Sequence, residues 1–177
     1  MSLVPISADS PILKIGAVVL RGDGAVLIVQ PKPKHAGEIP PFVLPRGSRQ
    51  YADDAGAWHD ARDVVTGEKH KDRLEPFERA LAREVEEEAG VTSDMLARAN
   101  VRELGRLEFA SRTKGKYPIH WFVVRLAAAD ATGLENTVPE DALSVRWAGL
   151  EEIKAMAARE FSAGYVAVIE AALSAPH

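Results

Sequence analysis

Apolar and polar positions fall into blocks of changing period along the chain. "ILKIGAVVLRGDGAVLIVQPK" (12–32) holds two β-branched apolar runs joined by Arg21-Gly22-Asp23-Gly24, which predicts a β-hairpin. "FVLPRG" is a third short apolar run, ended by Pro45 and Gly47. Residues 48–74 are polar and without clear period. Asp53 or Asp54 is placed to cap a helix running through Val65, with Gly67 ending it. Pro76 suits the first helical residue and Gly90 the position just past the end, so a helix is expected over Pro76 to Ala89. "VRELGRLEFAS" and "KYPIHWFVVRLAAA" read as paired strands, and "SVRWAGL" as a last short strand. "GLEEIKAMAA" and "FSAGYVAVIEAAL" carry apolar residues at helical spacing. Trp121, Phe122 and Trp147 lie in strand-like runs and are expected in the core. Strands, a helix, strands, then helices favour a mixed α/β sandwich over an alternating parallel fold.

Composition narrows this picture. The 177 residues are 46% hydrophobic and 27% charged, and no Pro/Gly/Ser-rich linker divides them, so one domain spanning 1–177 is expected. A net charge of −4 speaks against a nucleic-acid or membrane surface. The chain has no cysteine, which excludes disulfides, thiolate catalysis and Cys-ligated metal sites. No run of 18 apolar residues predicts a membrane span. The opening "MSLVPISADSP" lacks the charged and apolar regions of a signal peptide, so the cytoplasm is the expected location.

The chemistry concentrates in "RALAREVEEEAG" (79–90), where Glu84, Glu86, Glu87 and Glu88 crowd a helix C-terminus. Carbonyl dipoles there disfavour anions by about 0.3–1 kcal/mol each, and like charges one turn apart add a few tenths. A compensating positive charge is therefore expected. On a wheel of about 100° per residue, Glu84, Glu87 and Glu88 share roughly one sector, and Glu86 points away. Leu81, Ala82, Val85 and Ala89 form a separate apolar stripe. Three converging carboxylates suit Mg²⁺, Mn²⁺ or Ca²⁺; the plainer alternative is a solvated acidic face.

The surrounding spacing decides between them. Glu75, seven residues, then Arg83-Glu84-Val85-Glu86-Glu87-Glu88-Ala89-Gly90-Val91 resembles the second half of the Nudix hydrolase signature, E-x7-R-E-U-x-E-E-x-G-U with U aliphatic. The pattern's preceding Gly is absent six residues before Glu75, where Lys69 stands. Gly47, after a predicted strand, takes that place if the 27 residues of 48–74 replace the pattern's five, an insertion of 22; Gly67 is the rival.

The resemblance implies a Nudix-type α/β/α sandwich with a mixed sheet. It also implies Mg²⁺-dependent (or Mn²⁺-dependent) hydrolysis of a phosphoanhydride in a compound built on a nucleoside diphosphate. Gly47, Glu84, Glu87 and Glu88 are the implied metal ligands. Glu87 is the first choice of general base, with Glu140 and Asp141 as later-loop candidates. Arg83 would lock the carboxylates by pairing with Glu75 or Glu87. Arg46 in "LPRG" matches the basic position of branches acting on long phosphate chains, including diadenosine tetraphosphate hydrolases. "RTKGKYPIHWFVV", with Arg112, Lys114, Lys116, Tyr117 and His120, resembles the basic stretch of dinucleoside and diphosphoinositol polyphosphate hydrolases. An exposed hairpin loop is the alternative there. ADP-ribose, nucleotide sugars and nucleoside triphosphates stay open as substrates, although Arg106 and Leu107 stand where the ADP-ribose branch carries Pro. Trp58, Tyr51 and His59 are candidates for base stacking or a lid, and a homodimer is compatible with the family. A silent nucleotide-binding domain would be expected to have lost the metal carboxylates, which this chain keeps.

Overall fold

The period-two runs become the centre of a mixed sheet. The computed structural model describes residues 11–111, 115–156, 161 and 163–176. The strands are β1 (Lys14–Leu20), β2 (Val26–Pro31), β3 (Arg46–Ser48), β4 (Gln50–Ala52), β5 (Trp58–Asp60), β6 (Asn100–Ser111), β7 (Gly115–Arg125) and β8 (Ala142–Ala148). The helices are α1 (Val64–Lys69), α2 (Phe77–Ala89), α3 (Ser93–Arg98), α4 (Ala128–Ala131), α5 (Leu150–Met156) and α6 (Val166–Ser174). The main sheet has the order β6-β7-β1-β2-β8, with β3 on β1. Among the named strands of the described residues, β1 and β7 alone pair in parallel, from Ile15↔His120 to Leu20↔Arg125. Pro118 pairs with Glu108 of β6, just before the stretch that β1 pairs. There its missing N–H costs the sheet least.

Alternation along the strands builds two cores. Ile15, Ala17, Val19, Leu27, Phe122 and Val124 meet Ala80, Leu81, Val85 and Ala89 of α2 on one face. Val18, Leu20, Ile28, Trp121 and Val123 meet Ile153, Tyr165, Ile169 and Ala172 on the other. The result is the expected α/β/α sandwich. Burying a Leu or Val side chain stabilises by about 1.5–3 kcal/mol, so Leu81 and Val85 seat α2 firmly.

The helix α2 starts one residue later than expected, with Pro76 as its N-cap. It ends at Gly90, whose φ of 71° is the left-handed conformation that closes helices. Two short helices, α3 and α4, have no counterpart in the expected elements. Thr92 caps α3 by accepting from the Met95 N–H.

The segment 48–74 differs most. No helix runs from Asp53 or Asp54 to Val65. Instead β4 and β5 form a small antiparallel sheet through Gln50↔Asp60, Tyr51↔His59 and Ala52↔Trp58. Asp53 nucleates the turn: its carboxylate accepts from the Ala55 and Ala57 N–H groups, and its carbonyl accepts from Gly56. This Asx-type turn competes successfully with a helix start. The helix that does form, α1, is capped by Asp63 and contains Gly67 within it.

Candidate active site

The site is built where β3 passes α2. Strand alternation sends Arg46 and Ser48 to one side of β3 and leaves Gly47 facing α2. A Cβ built on Gly47 would lie 1.8 Å from Glu84 Oε2, so only glycine lets the strand approach this carboxylate. Gly67, the rival, packs instead against Leu13 and Pro11. The Arg46 N–H donates to Glu88 Oε2 at 2.7 Å. β3 therefore touches two of the α2 carboxylates through backbone alone.

Arg83 is the hub of the acidic face. Its Nη2 donates to Glu75 Oε2 at 3.0 Å and to the Ser48 carbonyl at 2.7 Å. Its Nη1 donates to Glu84 Oε1 at 2.7 Å and Glu87 Oε2 at 3.2 Å. Only 20% of the Arg83 side chain is exposed, so this is no simple surface pair with Glu87. Glu75 is fully buried and also lies 3.6 Å from Arg79. The Gln50 N–H donates to Glu75 Oε2 at 3.1 Å, and Arg49 Nε donates to the Glu75 carbonyl at 2.7 Å.

These contacts supply the positive charge that the helix end requires. Orphan carbonyls are met as well: Asp141 N–H donates to the Glu87 carbonyl, and Val91 N–H to that of Val85. Burial still leaves the acids under strain. Desolvation raises the Glu84 pKa, with Arg83 opposing, Glu87 adding and Lys14 opposing. Burial pushes the Glu88 carboxyl up to about 7, with the Arg46 N–H opposing and the charges of Glu84 and Asp141 adding. Closely spaced, poorly solvated oxygens with raised pKa are the donor set a hard divalent cation favours. Among the described residues, no three His, Asp or Glu side chains already surround a common point as a metal-ligand cluster. Arg83 and the Arg46 N–H hold these carboxylates instead.

The remaining candidates are spread around this centre. Arg46 sends its guanidinium to the opposite face, where Nη1 donates to the Tyr117 hydroxyl at 3.0 Å and the group lies over the Tyr165 ring at 5.9 Å. Glu140 is exposed, its carbonyl accepting from Lys32 Nζ. Asp141, beside it, is the late acid whose charge reaches Glu88. Trp58 lies under the Arg79 guanidinium, 4.0 Å from the ring centre. Tyr51 stacks on His70 at 3.9 Å and His59 pairs with Asp53 at 2.8 Å, so the insertion is ordered by its own contacts. Lys116 continues β7 opposite Ala110, whereas Arg112 and Lys114 lie outside the described residues. His120 stacks on Phe77 at 4.2 Å. Lys14, which bonds Ser48 Oγ, and Gln50 were missed in the sequence, because only the β1–β3 pairing and the folded insertion bring them here.

The NUDIX domain family model matches residues 11–168. The chain belongs to the Nudix family. Membership supports a hydrolase acting on phosphoanhydride bonds. Similar folds include the MutT protein of Methanosarcina mazei, at 19% identity and a TM-score of 0.53, covering 93% of this chain and 94% of that one. The Ap4A hydrolase of C. elegans, in a binary complex, aligns at 14% identity and 0.51, covering 89% and 92%. The dihydroneopterin triphosphate pyrophosphohydrolase of E. coli aligns at 19% and 0.50, covering 89% and 91%. At these identities the likeness is one of fold. No curated protein sequence matches this Nudix chain. No helix among its described residues is long and apolar enough to cross a membrane.

Proposed function

We propose that this Nudix protein is a Mg²⁺-dependent pyrophosphohydrolase, active also with Mn²⁺, that cleaves a phosphoanhydride in a dinucleoside or diphosphoinositol polyphosphate. The observation that carries the reading is the packing of the buried Glu84 carboxylate on Gly47 beside Glu88, with Arg83 fixing Glu84 and Glu87. Glu84, Glu87, Glu88 and the Gly47 carbonyl would hold a divalent ion, which would supply charge neutralisation of the pyrophosphate and a lower pKa for the attacking water.

The chain's own residues do the rest. Arg83, tied to Glu75 and the Ser48 carbonyl, keeps Glu84 and Glu87 from rotating away. Glu87, a third exposed, is the carboxylate accessible enough to take a proton from water. Asp141 and Glu140 stand on the loop docked against the end of α2, and Asp141 is the better placed second acid. Arg46 contributes its backbone N–H to the Glu88 carboxylate beside Gly47, while its guanidinium, held by Tyr117 on the opposite face, is not part of this centre. Lys114 and Lys116 belong to the stretch whose sequence resembles that of polyphosphate hydrolases, which supports a substrate with more than two phosphates.

A substrate panel with Mg²⁺ and Mn²⁺ tests it. Metal-dependent cleavage of diadenosine tetraphosphate or a diphosphoinositol polyphosphate in preference to ADP-ribose and simple triphosphates is expected. Preference for ADP-ribose, a nucleotide sugar or a triphosphate would overturn the substrate assignment. Metal-independent or absent turnover would overturn the enzyme.

A further inference from the structure

The insertion reaches the acidic helix and the Glu75 that precedes it through several contacts, and two of them converge on the Glu75 carboxylate. Arg79 on α2 is held between the Trp58 ring, 4.0 Å from its guanidinium, and the Glu75 carboxylate at 3.6 Å. The Gln50 N–H meets the same carboxylate, and the Glu75 N–H returns a bond to the Gln50 carbonyl at 2.7 Å. Glu75 in turn orients Arg83, whose other donors grip Glu84 and Glu87. A chain of charge contacts thus runs from the insertion to the carboxylates proposed to hold metal.

We propose that the insertion is a brace for the catalytic helix, and that Trp58 is a positioning residue acting through Arg79 and Glu75. This rests on the reading of the site as a metal-dependent pyrophosphohydrolase. The Arg79 side chain is about half exposed, at 53%, so water competes for it. The indole face gives the guanidinium a reason to stay, by cation–π attraction and by covering its apolar stem. Without that face Arg79 gains rotamer freedom in solvent, and Glu75 stays buried with one cation fewer. Arg83 must then neutralise more of Glu75, with Arg49 as the other cation near it, and its grip on Glu84 and Glu87 loosens. Base stacking by Trp58, the sequence-level alternative, has to compete with the arginine already on the ring.

Four proteins test the proposal: Trp58→Ala, Trp58→Phe, Arg79→Ala and the Trp58→Ala/Arg79→Ala double variant, alongside wild type. Each is assayed for kcat and KM, for Mn²⁺ binding by calorimetry without substrate, and for unfolding in urea. Loss of an orienting contact around metal ligands typically costs 10–100-fold. Trp58→Ala should therefore lower kcat and weaken Mn²⁺ binding by roughly 10-fold with KM unchanged, and Trp58→Phe should restore most of both. In the Arg79→Ala background, Trp58→Ala should add little. A raised KM with kcat retained would mean substrate stacking and overturn the brace. Additive effects of the two single variants on unfolding would overturn it whether or not any substrate is found. Absence of wild-type turnover together with non-additive unfolding would instead fault the functional reading and leave the Trp58–Arg79 linkage standing.

Discussion

Replacing Gly47 by Ala puts the contact between β3 and α2 to a quantitative test. The new methyl carbon would stand 1.8 Å from Glu84 Oε2, 1.9 Å from Cδ and 2.0 Å from Oε1. Such contacts are essentially never below 3.0 Å, so the carboxylate must retreat by about 1.2 Å, the difference between 3.0 and 1.8. It is the end of a flexible side chain, but it is buried and bonded to Arg83 at 2.7 Å, which limits its escape. Overpacking of this kind costs about 1–3 kcal/mol of stability. Misplacement of a catalytic group by about 1 Å can cost about 100-fold in rate, or about 2.7 kcal/mol at 1.36 kcal/mol per decade. Initial rates at saturating Mg²⁺, with urea unfolding at the same pH, separate the two effects. Gly67→Ala is the control. Its Cβ would press on Leu13 Cδ2 at 2.4 Å, so it should disturb packing and leave kcat near wild type. A Gly47→Ala enzyme with kcat within about threefold of wild type would refute the assignment of Gly47 to the reaction centre.

Three further outcomes follow from the same geometry. Arg83→Ala removes the cation bonded to the buried Glu75 carboxylate and leaves only the looser Arg79 and Arg49 near it; breaking a buried pair this way costs about 3–5 kcal/mol, measurable as a lower urea midpoint, and an unchanged midpoint would refute the hub. Glu87→Gln should cut turnover by more than roughly 100-fold with little loss of stability, because deleting one acid from a crowded face relieves repulsion; near-normal rates would remove Glu87 from the chemistry. Glu88, with a folded pKa of about 7 against an ordinary value of 4.5, binds more protons folded than unfolded between those pH values. Its contribution to stability is therefore greatest below about pH 4.5 and is lost as pH rises through about 7. In EDTA, Glu88→Gln should stabilise the protein at pH 8 more than at pH 5, by urea unfolding at both pH values; equal effects would contradict the buried, desolvated placement of Glu88.

What the sequence determined was mostly local. The Arg21–Gly24 turn, the apolar stripe of α2 and its Pro76 and Gly90 limits depend on backbone preferences and on the 2- and 3.6-residue periods. The spacing from Glu75 to Val91 fixed the family for the same reason, because a helix converts spacing directly into one face. Residues 48–74 resisted this approach. Their strands are three residues long and their anchors are distant in sequence: Arg49 bonds Leu13, Ile12 and Glu75, and Tyr51 bridges Leu74. Asp53-Asp54-Ala55-Gly56 has the composition of a turn, and that is the one local signal for the hairpin. The destinations of Arg46 and Trp58 were decided by tertiary structure alone. Arg46 gives its N–H to Glu88 and its guanidinium to Tyr117, and Trp58 stacks under Arg79. Each of these contacts joins segments whose meeting depends on how the sheet and insertion close around α2, and no local preference or period encodes that closure.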